Sequence, residues 1–202
     1  MSARDPAQII EIVEESLASL THYADVRIAF DVSRVLDISL DGGFVLSEHA
    51  VETPYVKDYD AIDEGPARWV AMFDVSNWGV LAARIDGRRV GGATLAYATA
   101  GLDILEGRRD LAALWDIRVS PEARGHGVGS ALFRAAEAWA AARGCRQLKI
   151  ETQNVNVPAC RFYARQGCAL VSIDPVAYPD LPDEVQMIWR KHLSSAVPRT
   201  VG

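Results

Sequence analysis

The sequence is poor in cysteine, has no long apolar run and carries no excess of positive charge. Its three cysteines, Cys145, Cys160 and Cys168, form no C-x-x-C pair, so neither a disulfide framework nor a metal site is predicted. No stretch approaches about 18 uninterrupted apolar residues, and the first residues lack the apolar core of a signal peptide, which predicts a cytoplasmic protein without a membrane span. The net charge of −6 argues against a nucleic-acid partner, because binding nucleic acid requires a basic face.

The length and the balance of residue types fit one domain. The chain has 202 residues, of which 50% are hydrophobic and 24% are charged, as in ordinary globular proteins. We expect a single domain over 1–202, with a helical extension at 1–25 and a flexible tail at 193–202. The acidic balance suits a cationic small substrate, but it equally suits a protein that only has to stay in solution.

Hydrophobic periodicity predicts how the chain begins and which elements follow. Ile9, Val13, Leu17 and Leu20 fall at helical spacing and predict an amphipathic helix over 7–20. Strands are predicted at 26–30, 44–50, 80–85, 90–97, 111–119, 147–152, 169–173 and 185–189, and helices at 127–143 and 158–166.

Two segments between these elements have their own signals. Residues 54–66 are rich in carboxylates and predict a polar loop with a short helix, which is a candidate rim of a substrate site. Residues 69–74 fit either a strand or the end of that helix. Asp86 and Gly87 stand between two β-rich runs and predict a hairpin. Together these elements predict a mixed α/β domain.

A glycine-rich loop joins the predicted strand at 111–119 to the helix that follows. Alternating glycines let a backbone approach a ligand closely, and the free N–H groups of a helix's first turn bind anions such as a pyrophosphate. A P-loop would need a lysine before Ser130, and a Rossmann fingerprint would need a glycine there. Arg124, Gly127 and Gly129 instead match the pattern R/Q-x-x-G-x-G/A, which resembles the acetyl-CoA pyrophosphate signature of GNAT acetyltransferases.

A second pattern lies about 30 residues downstream. Asn156, Ala159, Tyr163 and Gly167 resemble the N-x-x-A-x-x-x-Y-x-x-x-G helix that follows the fifth strand of the GNAT fold. The first three positions fall on one face of a helix. The GNAT pattern usually has an apolar aromatic residue after the last glycine, where this chain has Cys168, and this difference changes local packing rather than chemistry.

The resemblance narrows to the streptothricin acetyltransferase branch of that superfamily. Glu151-Thr-Gln-Asn-Val-Asn-Val-Pro-Ala-Cys160 and the segment Pro54-Tyr-Val-Lys-Asp-Tyr-Asp60 both look like that branch. The likeness covers roughly 26–192. It implies a central mixed, twisted sheet flanked by helices and splayed between its fourth and fifth strands, with acetyl-CoA as acetyl donor and a primary amine of a cationic small molecule as acceptor. It also allows a homodimer.

The resemblance also implies a set of residues that bind acetyl-CoA. They lie along the end of the fourth strand, in the glycine-rich loop and on the second motif's helix: Ile117, Val119, Arg124, Gly125, His126, Gly127, Val128, Gly129, Ser130, Asn156, Ala159 and Tyr163. His126 would contribute its backbone N–H rather than its ring.

Direct transfer to an amine requires a base and an acid. A lysine-like amine has a pKa near 10.4, so its neutral form lies about 4.6 kcal/mol uphill at pH 7. Asp116 and Glu151 are the candidate bases, although a purely structural role explains Asp116 about equally well and Glu151 slightly better. Tyr163 is the candidate residue to protonate the departing thiolate or to hydrogen-bond to it. Cys160 has no evident histidine partner and is interpreted as a packing residue.

Two other functions remain open at this point. A protein or peptide N-acetyltransferase would share both motifs, and so would a non-catalytic acyl-CoA sensor. The presence of Tyr163 argues against the sensor, because a sensor has no need for an acid beside the sulfur.

Overall fold

The computed structural model describes residues 9–63 and 65–193, which form two β-sheets with helices packed around the larger one. The strands are β1 (Glu11–Glu15), β2 (Phe30–Leu40), β3 (Phe44–Lys57), β4 (Gly79–Ile85), β5 (Arg88–Tyr97), β6 (Leu111–Val119), β7 (Gln147–Gln153), β8 (Ala169–Asp174) and β9 (Gln186–His192). The helices are α1 (Tyr59–Asp63), α2 (Pro66–Met72), α3 (Val128–Ala142) and α4 (Val157–Arg165), with 3₁₀ helices at Leu17–Asp25, Asp103–Leu105 and Pro121–Ala123. No helix in these ranges is long and apolar enough to cross a membrane.

The larger sheet has seven strands in the order β1-β4-β5-β6-β7-β9-β8. β6 and β7 run parallel, whereas the other neighbouring pairs are antiparallel. A parallel pair needs a long crossover, and α3 supplies it between these two strands. The site described below depends on this one parallel junction.

The two faces of the larger sheet bury different groups of side chains. Along β6, Ala112 and Leu114 point into the core cluster that includes α3 and α4. Ala113 and Trp115 alternate with them and point into a second, aromatic-rich cluster on the opposite face. This period of two is what strand geometry requires, and it leaves β6 buried on both faces.

β2 and β3 form a separate two-stranded ribbon. Leu36 of β2 is buried and belongs to the core cluster of α3 and α4. Its backbone N–H donates to the carbonyl of Asn154 over 3.1 Å, and Asn154 Nδ2 donates to the Leu36 carbonyl over 3.3 Å. The ribbon therefore joins the rest of the molecule through side chains and a single backbone junction rather than through a shared ladder.

Most of the predicted elements are confirmed within about two residues. β6 matches its prediction at both ends, and the Asp86–Gly87 hairpin joins β4 to β5 with both residues at positive φ. α3 begins after Gly127 and is followed by Gly144 at φ +79°, the left-handed conformation that glycine adopts readily after a helix.

The helix predicted at 7–20 is wrong in its described part. Residues 11–15 form β1, an edge strand that pairs with β4 through Glu11↔Arg84 to Glu15↔Val80, and a 3₁₀ helix follows from Leu17. Pairing with the open edge of β4 decides the conformation, because a short apolar run fits either period. Residues 1–8 of the predicted extension and 194–202 of the predicted tail lie outside the described ranges.

Two further predictions are corrected. The strand predicted at 26–30 is absent, and β2 begins only at Phe30; the Val26 carbonyl instead accepts a hydrogen bond of 3.2 Å from Arg118 Nη1. At 69–74 the strand alternative is wrong, since α2 occupies Pro66–Met72. Pro66 is suited to a helix's first turn, and Trp69 of this helix packs on Tyr23.

Candidate active site

The sheet opens where β6 and β7 part. Their pairing runs from Leu111↔Gln147 to Leu114↔Ile150 and ends there, although β6 continues to Val119 and β7 to Gln153. A cavity of about 950 Å³ occupies the opening and extends to both faces of the sheet. This confirms the splay predicted between the fourth and fifth strands of the fold.

One end of the cavity is formed by the glycine-rich loop and the start of α3. Gly125 and Gly127 have φ of +80° and +86°, values that favour glycine over any other residue. Gly127 is the N-cap of α3 and has no side chain to cap the first-turn N–H groups, so these donors remain available to an anion. Arg124 donates to the carbonyls of Val119 and Ala29 over 3.0 Å each, which fixes the loop against the end of β6.

α4 forms the neighbouring wall. Asn156 is its N-cap, and the side-chain oxygen accepts a hydrogen bond of 3.2 Å from the backbone N–H of Ala159. Tyr163, about two turns further, is 4% exposed and packs against Phe133 and Phe162. Burial raises the pKa of Tyr163, and the negative charge of Asp116 raises it further, so its hydroxyl keeps its proton at any working pH.

The other end of the cavity is built around a buried arginine, Arg118. Its guanidinium donates to Asp116 over 2.9 and 2.7 Å, to Asp60 over 2.7 and 3.1 Å, and to the Val26 carbonyl. Tyr23 stacks under it, with the guanidinium carbon 4.7 Å from the ring centre. Burial works to lower the pKa of Arg118, but the bonds to Asp116 and Asp60 outweigh it and raise the pKa.

Both oxygens of Asp116 consequently accept hydrogen bonds from neighbouring side chains. Its side chain is 6% exposed, both of its oxygens accept from Arg118, and one also accepts from the Tyr23 hydroxyl over 2.8 Å. Both oxygens of this carboxylate are directed to Arg118, which leaves Asp116 less available to a substrate amine than a carboxylate with a free oxygen.

Glu151 has a different environment. It lies on β7 just past the last residue paired with β6, and it lines the cavity. Tyr178 donates to its Oε1 over 2.6 Å, and within residues 9–63 and 65–193 no hydrogen bond reaches Oε2. One oxygen is therefore fixed and the other is available to a substrate.

Aromatic side chains also line the end of the cavity that is built around Arg118. Trp69 and Trp115 meet edge to face with ring centroids 6.3 Å apart, and Phe30 and Tyr59 pack at 5.9 Å. All four line the cavity. Aromatic faces beside carboxylates attract organic cations through both the ring quadrupole and the ionic charge.

The structure brings together most of the residues that the sequence singled out. The cavity is lined by all three predicted catalytic residues and by most of the predicted acetyl-CoA contacts: Asp116, Glu151, Tyr163, Ile117, Val119, Arg124, Gly125, Gly127, Gly129, Ser130, Asn156 and Ala159. Val128 and His126 are not among the lining residues. The Val128 side chain is in the core at 1% exposure, and the His126 side chain is exposed to solvent.

Sequence reasoning found part of the cavity's end around Arg118, called the acceptor end below: Asp116 and Glu151 were named as candidate bases, and Asp60 lies in the segment 54–66 that was predicted as a substrate rim. It missed Arg118 itself. Arg118 stands two residues after Asp116 on one strand, so both side chains point to the same face, and this spacing was a usable signal. No comparable local signal links Tyr23 or Tyr178 to the site, because each is brought in from a different part of the chain.

Comparison with known proteins settles the family. The family model described as "Acetyltransferase (GNAT) family" matches residues 46–168. The chain belongs to the GNAT acetyltransferases. The streptothricin acetyltransferase of Escherichia coli is 34% identical over 184 residues, which is 89% of this chain and 93% of that protein. The streptothricin acetyltransferase of Streptomyces lavendulae is 30% identical, covering 77% of this chain and 79% of that one.

Solved structures agree with this assignment. A nourseothricin acetyltransferase has a TM-score of 0.70 at 25% identity, covering 92% of this chain and 99% of its own. A Bacillus anthracis str. Ames protein described as a candidate streptothricin acetyltransferase, solved with acetyl coenzyme A, has a TM-score of 0.72 at 25% identity and covers 94% of this chain and 100% of its own. This GNAT protein is an acyltransferase that transfers an acetyl group to an amine, with acetyl-CoA as donor.

The residues present fit acetyl-CoA. The uncapped first turn of α3 and the positive-φ glycines before it suit its pyrophosphate, and the opening between β6 and β7 suits its narrow arm. Acetyl-CoA supplies the acetyl group already activated as a thioester. Among the described residues, no group of three or more His, Cys, Asp or Glu side chains could hold a metal ion.

Proposed function

We propose that this enzyme acetylates a primary amine of a cationic antibiotic of the streptothricin class. The observation that carries the proposal is the composition of the cavity's acceptor end, where Asp60, Asp116 and Glu151 outnumber the single buried cation Arg118 beside four aromatic rings. Such a wall favours an organic cation. The names of the relatives from E. coli and S. lavendulae support the same substrate class and antibiotic resistance as the outcome.

The reaction breaks the bond between the acetyl carbon and sulfur and forms one to the amine nitrogen. One proton must leave the nitrogen, and one is needed at the sulfur. We assign the first to Glu151, whose Oε2 is free to accept it directly or through water, in preference to the engaged Asp116. To Tyr163, which stays protonated, we assign the hydrogen bond that stabilises the departing thiolate; its raised pKa makes it a weaker acid than the thiol, so the sulfur takes its proton from solvent.

Asp116 then has an electrostatic role. Its charge lies near Tyr163 and, together with Asp60 and Arg118, leaves the acceptor end negative. A cationic acceptor is held there before its amine loses a proton. The remaining predicted contacts, from Ile117 to Ala159, are proposed to bind acetyl-CoA.

We also propose that the protein acts in the cytoplasm and as a homodimer. Three buried, unpaired cysteines suit a reducing compartment. Leu40 and Val45 are exposed apolar side chains near the turn of the β2–β3 ribbon and offer a surface to a second copy. Light scattering coupled to gel filtration gives the mass directly, and a monomer at micromolar concentration would reject the dimer.

The deciding experiment is a CoA-release assay with acetyl-CoA against streptothricin, an aminoglycoside, spermidine and a lysine-bearing peptide. We expect turnover with streptothricin. Turnover with the peptide alone would reject the antibiotic and favour a protein N-acetyltransferase, an alternative that the relatives do not favour. Tight acetyl-CoA binding without turnover on any amine would favour the acyl-CoA sensor.

A further inference from the structure

A chain of hydrogen bonds leads across the acceptor end of the cavity to Glu151. The Tyr59 hydroxyl donates to Gln153 Oε1 over 2.5 Å, Gln153 Nε2 donates to the Tyr178 hydroxyl over 2.8 Å, and the Tyr178 hydroxyl donates to Glu151 Oε1 over 2.6 Å. The four side chains come from α1, β7 and the loop between β8 and β9. The chain therefore connects three separate elements to one carboxylate.

All three bonds point the same way. Each group accepts from the one before it and donates to the one after it, so the dipoles add and the last acceptor is the carboxylate. A hydrogen bond donated to an ionised carboxylate is charge-assisted, short and strong, and it stabilises the ionised form. Burial raises the pKa of Tyr178, and its bond to Glu151 raises it further, so the hydroxyl stays a donor.

The loop that carries Tyr178 is fixed at its far end. Asn154 at the end of β7 accepts from the Val185 N–H over 2.8 Å through its side chain and donates its own N–H to the Val185 carbonyl over 3.1 Å. Glu184 pairs with Lys57 of β3, and each side chain is 7% exposed. Tyr178 is thus part of a braced segment.

We propose that Tyr178 is a positioning residue for the reaction: it fixes Oε1 of Glu151 so that Oε2 faces the acceptor amine. This inference rests on the proposed role of Glu151 as the base. Tyr178 is not among the residues that line the cavity, so it acts through Glu151 and does not touch the acceptor.

Other charged groups also face Glu151. A neighbouring groove of about 530 Å³ shares Glu151 with the main cavity and is bordered by residues from the turn before β6, from β7 itself and from β9: Asp103, Glu106, Lys149 and Arg190. Asp116 and Arg118 of β6 and Asp60 of α1 line the main cavity with it. These groups are unchanged in the variants below, so a shift between variants reports the lost donor.

The experiment compares four proteins with the streptothricin assay: wild type, Tyr178→Phe, Glu151→Gln and the double variant, with kcat and KM measured from pH 5 to 9. Tyr97→Phe is the matched control, because it removes a tyrosine hydroxyl that donates to the Arg143 carbonyl and does not line the cavity. Thermal unfolding and the Kd for acetyl-CoA, measured on every variant, establish that each is folded and binds the donor.

We expect Tyr178→Phe to lower kcat/KM about 10-fold, mostly through kcat, and to move the acidic limb of the pH profile upward by roughly half a unit or more. Glu151→Gln should lower kcat/KM about 10²- to 10³-fold. Adding Tyr178→Phe to Glu151→Gln should change kcat/KM by no more than about a further twofold. Tyr97→Phe should match wild type.

Two results would overturn the inference while leaving the proposed function intact: an unshifted profile for Tyr178→Phe, or losses that multiply in the double variant. Multiplying losses would mean that Tyr178 acts independently of Glu151. No wild-type turnover would instead overturn the proposed function, and with it the role of Glu151 on which Tyr178 depends.

Discussion

Arg118 and Asp60 lie 58 positions apart and meet in a two-bond ion pair of 2.7 and 3.1 Å. The Arg118 side chain is 0% exposed, and its other bonds go to Asp116 and to a backbone carbonyl. One guanidinium thus compensates two carboxylates from different elements, and it joins α1 to β6 at the acceptor end.

Replacing Arg118 by Met should lower the free energy of unfolding by about 3–5 kcal/mol, because it leaves two carboxylates without their partner. Urea unfolding at pH 7 measures this. Arg34→Met is the control, since Arg34 forms a partly exposed pair with Glu48 and its loss should lower the free energy of unfolding far less. Equal losses in both variants would show that burial adds nothing to the Arg118 pairs.

The Tyr163→Phe variant tests whether the Tyr163 hydroxyl stabilises the departing thiolate of CoA. The high pKa of the buried hydroxyl makes it a permanent donor, so its loss should lower kcat about 10²-fold while the Kd for acetyl-CoA changes little. Steady-state kinetics and calorimetry provide the two values. Tyr97→Phe, which removes a hydroxyl 3.4 Å from the Arg143 carbonyl, is the control. An unchanged kcat and pH profile in Tyr163→Phe would refute the assignment.

Gly127→Ala should raise the Kd for acetyl-CoA about 10-fold, because a φ of +86° strains any other residue by about 1–2 kcal/mol and relaxation would move the N–H groups of α3. Gly87→Ala introduces a similar strain at φ +75° in the β4–β5 hairpin. Both variants should lose similar stability, but only Gly127→Ala should lose affinity. Equal Kd values in the two variants would show that the conformation of the glycine-rich loop does not affect the binding of acetyl-CoA.

The Cys160 thiol should be nearly inert at neutral pH. Burial raises its pKa to about 11, so the thiolate is about 0.03% of the population at pH 7.5 and grows about tenfold per pH unit up to that value. Alkylation with iodoacetamide, followed by mass spectrometry of the native enzyme, measures the rate. Cys160→Ala should keep kcat within about threefold, as expected of a packing residue. Rapid labelling at pH 7.5, or a large loss of kcat, would contradict this.

The sequence predicted best where local signals and tertiary structure agree. The strand at Leu111–Val119, the glycine-rich loop and α3 each have a strong local pattern, and all three stand where that pattern places them. The opening of the sheet followed from the family resemblance, and the end of pairing at Leu114↔Ile150 confirms it.

The sequence predicted least where distant segments decide the outcome. Ile9, Val13 and Leu17 have helical spacing, but residues 11–15 pair as a strand with the open edge of β4. That edge offers hydrogen bonds that no local pattern reveals. Tyr23 and Tyr178 reach the site from 93 and 27 positions away from the carboxylates they contact, and an isolated tyrosine in the sequence gives no sign of such a partner.

The tip of the β2–β3 ribbon suggests a practical use. Its turn is closed by a hydrogen bond of 3.0 Å from the Asp41 N–H to the Gly43 carbonyl, and a side chain added at Gly42 or Gly43 would meet no atom within 4 Å. A short reporter peptide or a dye inserted at this tip would leave the core and the cavity untouched. It would also report on motions of the ribbon, because the ion pair between Glu48 and Arg161 couples β3 to the helix that carries Tyr163.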